Sequence, residues 1–141
     1  MMKKRNLTTN EKEAVIGRVS EILQQKAFVL FAYIFGTFAS DADFGDIDVG
    51  IFVADRDIKS ALQTELDMEG ELEDAVKIPV DVRIINHAPL SFVYNVLRGG
   101  SVIVDNNKSL RAEFEGLIYK KYFDFRYLRR EYLREIVNAP V

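Results

Sequence analysis

The sequence contains no cysteine, only one histidine and no long apolar run. Without cysteine the chain has no disulfide and no thiolate metal site, which is compatible with a reducing cytoplasm. The longest apolar run, Ala27–Phe35, is too short to cross a bilayer as a helix. The basic N-terminus is not followed by an apolar run, so we do not interpret it as a signal peptide. We therefore expect a cytoplasmic protein with no membrane partner.

An excess of positive charge is also absent. The chain has 19 Lys and Arg against 22 Asp and Glu, a net charge of −3. Such a chain has no global attraction to nucleic acid, so a nucleic-acid partner is not expected. Its 141 residues fit one domain, so we predict a single domain over 1–141. Homo-oligomerisation is left open.

Hydrophobic periodicity and turn residues predict alternating helices and strands along the chain. In order, we predict a helix over 10–26, a strand over 27–35, a strand over 46–53, a helix over 56–77 that includes Ile58 and breaks near Gly70, a strand from Pro79, a helix over 89–97, a short edge strand over 101–104, and a helical region over 107–138 that contains a break. This order predicts an α/β (α+β) domain with a small mixed β-sheet packed by helices. The C-terminal helical region 107–138 is expected to pack on that domain.

The stretch from Tyr33 to Val53 reads as a strand, a turn of small residues, a polar loop and a second strand. Because strand side chains at i and i+2 share a face, Asp46 and Asp48 are expected to project together. Two adjacent carboxylates repel each other, and a divalent cation such as Mg²⁺ removes that cost. The alternative is that these aspartates simply cap the end of a loop.

Gly36-Thr37 precedes this pair of aspartates. A glycine lets a phosphate approach the backbone closely, and the threonine hydroxyl can hydrogen-bond to it. A phosphate site facing a metal site suggests nucleotide chemistry. A rival pair, Asp41 and Asp43, lies within the loop with no strand after it, so we expect both to be solvated.

Asp81 is the third carboxylate of interest, because it lies inside an apolar strand. A charge in that position is costly unless it is paired or bound to a metal. If its strand lies beside the Asp46–Val53 strand, three carboxylates can hold two cations, as in two-metal sites that assist an in-line displacement. Asp81 is also placed to help deprotonate an incoming hydroxyl. The alternative is a carboxylate paired with Arg83 or with a helix end.

This pattern resembles that of the nucleotidyltransferase superfamily with the DNA polymerase β-like fold. That family has a hydrophobic strand, Gly-Ser, a loop, Asp-x-Asp and a distant third Asp on a neighbouring strand. The stretch from Leu30 to Leu133 looks most like the minimal nucleotidyltransferase (MNT) group, whose members are commonly antitoxins paired with a HEPN-domain RNase toxin. Characterised members transfer AMP from ATP to a tyrosine of the toxin.

The resemblance implies a role for each matching residue. Gly36 and Thr37 would bind phosphate, and Asp46, Asp48 and Asp81 would be the catalytic metal ligands. It also implies two Mg²⁺ ions, ATP as substrate and a HEPN toxin as partner.

Three departures from the family pattern motivate an alternative. Thr37 replaces the family's serine, Phe38 follows it and lacks one possible contact to a phosphate, and the loop Phe38–Gly45 is shorter than the family pattern leads us to expect. The alternative is a catalytically weak or inactive nucleotidyltransferase-like antitoxin that acts by direct binding.

The stretch Tyr119–Arg134 is rich in aromatic and basic residues. We predict an amphipathic helix with its aromatic side chains in the core and its bases in solvent. A partner-docking face is the alternative, because Tyr and Arg are favoured at interfaces. RNA binding is less favoured.

Overall fold

The computed structural model describes residues 5–40, 43–54 and 60–138. Four helices and four strands alternate along these segments. They are, in chain order, α1 Thr9–Gln24, β1 Val29–Phe35, β2 Ile47–Val53, α2 Ala61–Val76, β3 Val80–Ile84, α3 Leu90–Gly99, β4 Ser101–Asp105 and α4 Lys108–Asn138, with a short 3-10 turn Thr37–Ala39 between β1 and β2. The predicted order of elements is confirmed.

The strands form one open mixed sheet in the order β3-β2-β1-β4. β1 pairs with both β2 and β4 in antiparallel fashion, whereas β2 and β3 are parallel. β3 and β4 are therefore the edges, as predicted for the strand that begins at Ser101. This architecture confirms the predicted α/β fold class.

Helices cover both faces of the sheet, so the apolar core has two parts. On one face, Val19 and Leu23 of α1 and Leu72 of α2 pack against the sheet. On the other face, Val96 of α3 and Phe114 of α4 pack against Phe31 and Phe52 of the sheet. Burial on both faces explains why β1 is a nearly continuous apolar run.

Two predicted helix breaks are wrong. α2 is continuous through Gly70, because the Ser60 cap and the buried Met68 and Leu72 outweigh the cost of about 1 kcal/mol for a helical glycine. α4 is likewise one unbroken helix. Ile58 lies outside the described residues. No helix in the described part of the chain is both long and apolar enough to cross a membrane.

α4 is anchored at its first half and projects at its second half. Arg111 of α4 contacts Asp105 of β4 at 3.0 Å, and the Tyr33 hydroxyl of β1 donates to Glu115 at 2.6 Å. Its 31 residues span about 46 Å, so the helix outruns the sheet on which it packs.

The prediction that the aromatic side chains of the last helix lie in the core is therefore wrong for the second half of α4. The exposed apolar and aromatic residues are Phe123, Phe125, Tyr127, Leu128, Tyr132, Leu133, Ile136 and Val137. Nearer the domain, Tyr119 and Tyr122 still pack against Tyr94 of α3.

Carboxylates of α2 occupy the free edge of β3. The backbone amides of Val80, Val82 and Ile84 donate to the side chains of Glu73, Glu69 and Glu65, each at 2.9 Å. The glutamates are spaced four residues apart, so they share one face of α2. An edge strand with unpaired amides is a template for unwanted strand pairing. We call this row of three glutamates the edge ladder. Its hydrogen bonds satisfy the edge amides, prevent such pairing and set the position of β3.

Removing one rung of the edge ladder is expected to destabilise the protein. Glu73→Ala leaves the amide of the buried Val80 without its acceptor, at a cost of about 1–3 kcal/mol in unfolding free energy. Urea unfolding measures this cost. The neighbouring exposed Asp74→Ala is the control and is expected to change the free energy by less than about 0.5 kcal/mol. Equal effects of the two substitutions would contradict a structural role for the ladder.

Candidate active site

Three aspartates converge at the start of β2 and β3. The parallel register pairs Asp48 with Asp81, and Asp46 lies immediately before β2. One carboxylate oxygen from each residue lies within 4.8 Å of the others, while Ile47 between the first two is fully buried. The predicted adjacency of the two strands is confirmed.

The rival pair behaves differently. Asp43 is exposed and does not belong to this cluster, in agreement with the expectation that it is solvated. Asp41 lies outside the described residues.

The cluster holds more negative charge than its surroundings balance. Burial, and after it the neighbouring carboxylates of Asp46 and Asp81, raise the pKa of Asp48 to about 6, whereas Arg83 opposes the shift. The Arg83 Nε atom lies 3.5 Å from Asp81 Oδ1, so the ion pair considered from the sequence exists beside the cluster. One partly exposed guanidinium does not offset three carboxylates. The site therefore favours uptake of a positive charge.

The carboxylates suit a hard divalent cation. Mg²⁺ prefers oxygen ligands, and three carboxylates held close together gain from neutralisation by such an ion. Asp46, Asp48 and Asp81 would be the residues that hold it. Their assignment as metal ligands remains a prediction.

Gly36 brings the turn after β1 against this cluster. It has φ 76° and ψ −160°, a region of backbone conformation open essentially only to glycine. A Cβ atom at this position would collide with Asp48 Oδ2. The absence of a side chain therefore lets the turn and the carboxylate lie in contact. Thr37, the next residue, is exposed and begins the 3-10 turn.

Phe38 is directed into the core instead of toward the site. It is 1% exposed, and its ring packs edge-on against Phe44 with centroids 4.6 Å apart. The contact between the two rings joins the two ends of the loop Phe38–Gly45. Phe38 thus contributes packing to the core.

Sequence reasoning missed Glu69. This side chain accepts a hydrogen bond from the Val82 amide and lies beside Asp81. Burial, opposed by the Val82 bond, raises the pKa of Glu69, and the Asp81 carboxylate also raises it. Glu69 therefore links the edge ladder to the aspartate cluster. The four-residue spacing of glutamates on α2 was the available signal, but exposed helices often carry such spacing without a structural role.

Several solved structures share this fold. A chain of the complex of tri-AMPylated Shewanella oneidensis HEPN toxin with MNT antitoxin matches with a TM-score of 0.68 and 14% identity, over 89% of this chain and 98% of that chain. A chain of the toxin–antitoxin pair MntA–HepT matches with a TM-score of 0.62 and 15% identity, over 92% of this chain and 99% of that chain. A chain of a toxin–antitoxin structure with AMP-PNP matches with a TM-score of 0.66 and 14% identity, over 93% of this chain and 99% of that chain.

The family follows from the sequence itself. Residues 18–109, well over half of the chain, match the family described as polymerase beta nucleotidyltransferase. The chain belongs to this family. No curated protein matches the chain in sequence.

Substituting Gly36 tests the contact between the turn and the carboxylate. Gly36→Ala forces a side chain into a glycine-only conformation and against Asp48, and is expected to lower the unfolding free energy by about 1–3 kcal/mol. Gly70→Ala is the matched control, because a Cβ there meets open space on a helix and should stabilise by about 0.5–1 kcal/mol. Urea unfolding of both variants measures the difference. A neutral Gly36→Ala would contradict the geometry.

Proposed function

We propose that this protein is a Mg²⁺-dependent nucleotidyltransferase that transfers AMP from ATP to a hydroxyl group of a HEPN toxin, with release of pyrophosphate, and that it acts as the antitoxin. The observation that carries the proposal is the convergence of Asp46, Asp48 and Asp81 beside the glycine turn. Membership of the nucleotidyltransferase family supports the reaction class.

The site divides into two sides that suit the two reactants. Gly36 and Thr37 on the β1 side offer close backbone approach and a hydroxyl to a triphosphate. Asp81 on the β3 side is partly buried and is placed to accept a proton from an attacking hydroxyl. Bound Mg²⁺ would supply charge neutralisation to the phosphates and to the attacking oxygen.

The structural neighbours support the choice of donor and acceptor. One neighbouring complex contains a HEPN toxin that is tri-AMPylated, and another contains AMP-PNP. These are properties of the neighbouring proteins. By analogy, we propose that ATP is the donor for this chain and that a HEPN toxin in the cytoplasm is the acceptor. The net charge of −3 favours a protein acceptor over an RNA end.

Removing the paired carboxylates tests the reaction. Asp46→Asn with Asp48→Asn removes the negative charge that a cation needs, so AMP transfer is expected to fall about 100-fold or more. The measurement is transfer of labelled AMP from ATP to the co-purified HEPN protein with Mg²⁺. Asp43→Asn, a nearby exposed aspartate outside the cluster, is the control and should keep full transfer. Undiminished AMP transfer by the double variant would contradict the proposal.

Direct binding is the second candidate function, and the exposed half of α4 favours it. Phe125 is 54% exposed, Leu128 65% and Tyr132 63%, and they lie on one side of the helix at spacings of three and four residues. Arginines flank them. Aromatic and arginine side chains are enriched in interface cores and among energetic hot spots. A HEPN toxin docked there could be neutralised without any transfer.

Truncating this side of α4 tests the docking. Leu128→Ala with Tyr132→Ala is expected to weaken toxin binding by about 30-fold or more, as measured by calorimetry. Leu62→Ala with Leu66→Ala removes similarly exposed apolar groups from α2 and is the matched control. Unchanged affinity in the α4 variant would remove this surface as the docking site. If the transfer-dead Asp46 and Asp48 variant still neutralises the toxin, direct binding is the function.

A further inference from the structure

The loop between the glycine turn and the aspartates is held at its beginning by Lys12 of α1. The Lys12 Nζ atom donates to the backbone oxygens of Phe38 at 3.3 Å and of Ser40 at 2.7 Å. A charged donor makes stronger hydrogen bonds to carbonyl oxygens than a neutral one does. One ammonium group thus bridges two carbonyls of the turn that follows Gly36.

The same ammonium group also faces the aromatic pair that joins the two ends of the loop. It lies 5.3 Å from the ring centroids of both Phe38 and Phe44. Cation–π contacts at this distance are attractive. Lys12 therefore contacts both ends of the loop at once.

The end of the loop is held by Arg5, which precedes α1. Its backbone amide donates to the Phe44 oxygen, and the Phe44 amide donates back to the Arg5 oxygen at 3.1 Å. The guanidinium Nη1 atom donates to the Gly45 oxygen at 3.1 Å. Gly45 directly precedes Asp46, so this contact fixes the backbone from which the first carboxylate projects.

We infer that Lys12 and Arg5 are positioning residues that set the spacing between the phosphate-binding turn and the aspartate cluster. This inference rests on the proposed function. Both residues lie outside the stretch 18–109 that matches the family, so they are features of this chain beyond the matched region.

The physical reason is preorganisation. Ordering a free loop costs conformational entropy at each residue, and a misplacement of about 1 Å at a reacting centre can cost about 100-fold in rate. Lys12 acts through backbone carbonyls of the loop, because its Nζ atom already makes two hydrogen bonds there. Its removal should therefore disturb alignment more than it disturbs ground-state binding of the nucleotide.

The test replaces the charge while keeping the hydrocarbon stem. Lys12→Met is expected to lower kcat for AMP transfer about 10- to 100-fold, with a change in KM for ATP below about threefold. Lys12→Arg, which can still donate to both carbonyls, should restore most of kcat. Arg18→Met is the control on the same helix, since its ion pair with Glu21 at 3.5 Å lies in solvent. If Lys12→Met keeps kcat, or only KM changes, the inference fails.

Arg5→Met tests the second contact. Because both cations act on one loop, the fold-loss of kcat in the variant that combines Arg5→Met with Lys12→Met should be smaller than the product of the two single fold-losses. Fully multiplicative losses would mean that the residues act independently and would overturn the joint role.

Hydrogen exchange provides a readout that needs no activity. The amides of Ala39, Ser40 and Phe44, which donate to backbone oxygens in this region, should exchange at least about tenfold faster in Lys12→Met, while those of β1 stay protected. Unchanged exchange would overturn the inference. If the wild-type protein transfers no AMP, the proposed function fails, and hydrogen exchange alone then decides whether the loop is held in this way.

Discussion

The parallel pairing of β2 with β3 places like charges side by side, and much of the structure is arranged around that contact. Asp48 and Asp81 are directly paired across the two strands, and Asp46 joins them from the preceding residue. The cost appears in the pKa of Asp48, which burial and its two neighbours raise to about 6. A fold keeps such a cluster only when the surrounding structure holds it in place, and clusters of this kind occur most often at functional sites.

Support for the cluster comes from two sides. On one side, glutamates of α2 accept hydrogen bonds from the outward amides of β3, and Glu69 also lies beside Asp81. On the other side, Gly36 allows the turn to touch Asp48, and Lys12 and Arg5 hold the loop ends. Both supports use charged groups bonded to backbone atoms. Such bonds fix the course of the backbone, and the carboxylates follow from it.

The second half of α4 has a different character. The site is made of short-range contacts within the sheet, whereas this helix extends beyond the sheet with its apolar side chains exposed. Patches of exposed apolar and aromatic groups are typical of interaction sites. The two functions proposed for the chain therefore use separate parts of one molecule, and variants of one part need not affect the other.

Local patterns in the sequence determined the order of elements, the fold class and the shared face of Asp46 and Asp48, because periodicity and strand alternation depend only on neighbouring residues, but these patterns left open whether Asp81 would join that pair. They misjudged Gly70 and the course and burial of α4, since helix continuity and exposure depend on what the rest of the chain packs against. The inward turn of Phe38 and the contacts of Lys12, Arg5 and the α2 glutamates were decided by tertiary structure alone. Each of these contacts joins different elements or the two ends of a loop, and no local pattern specifies which side chain will reach which partner.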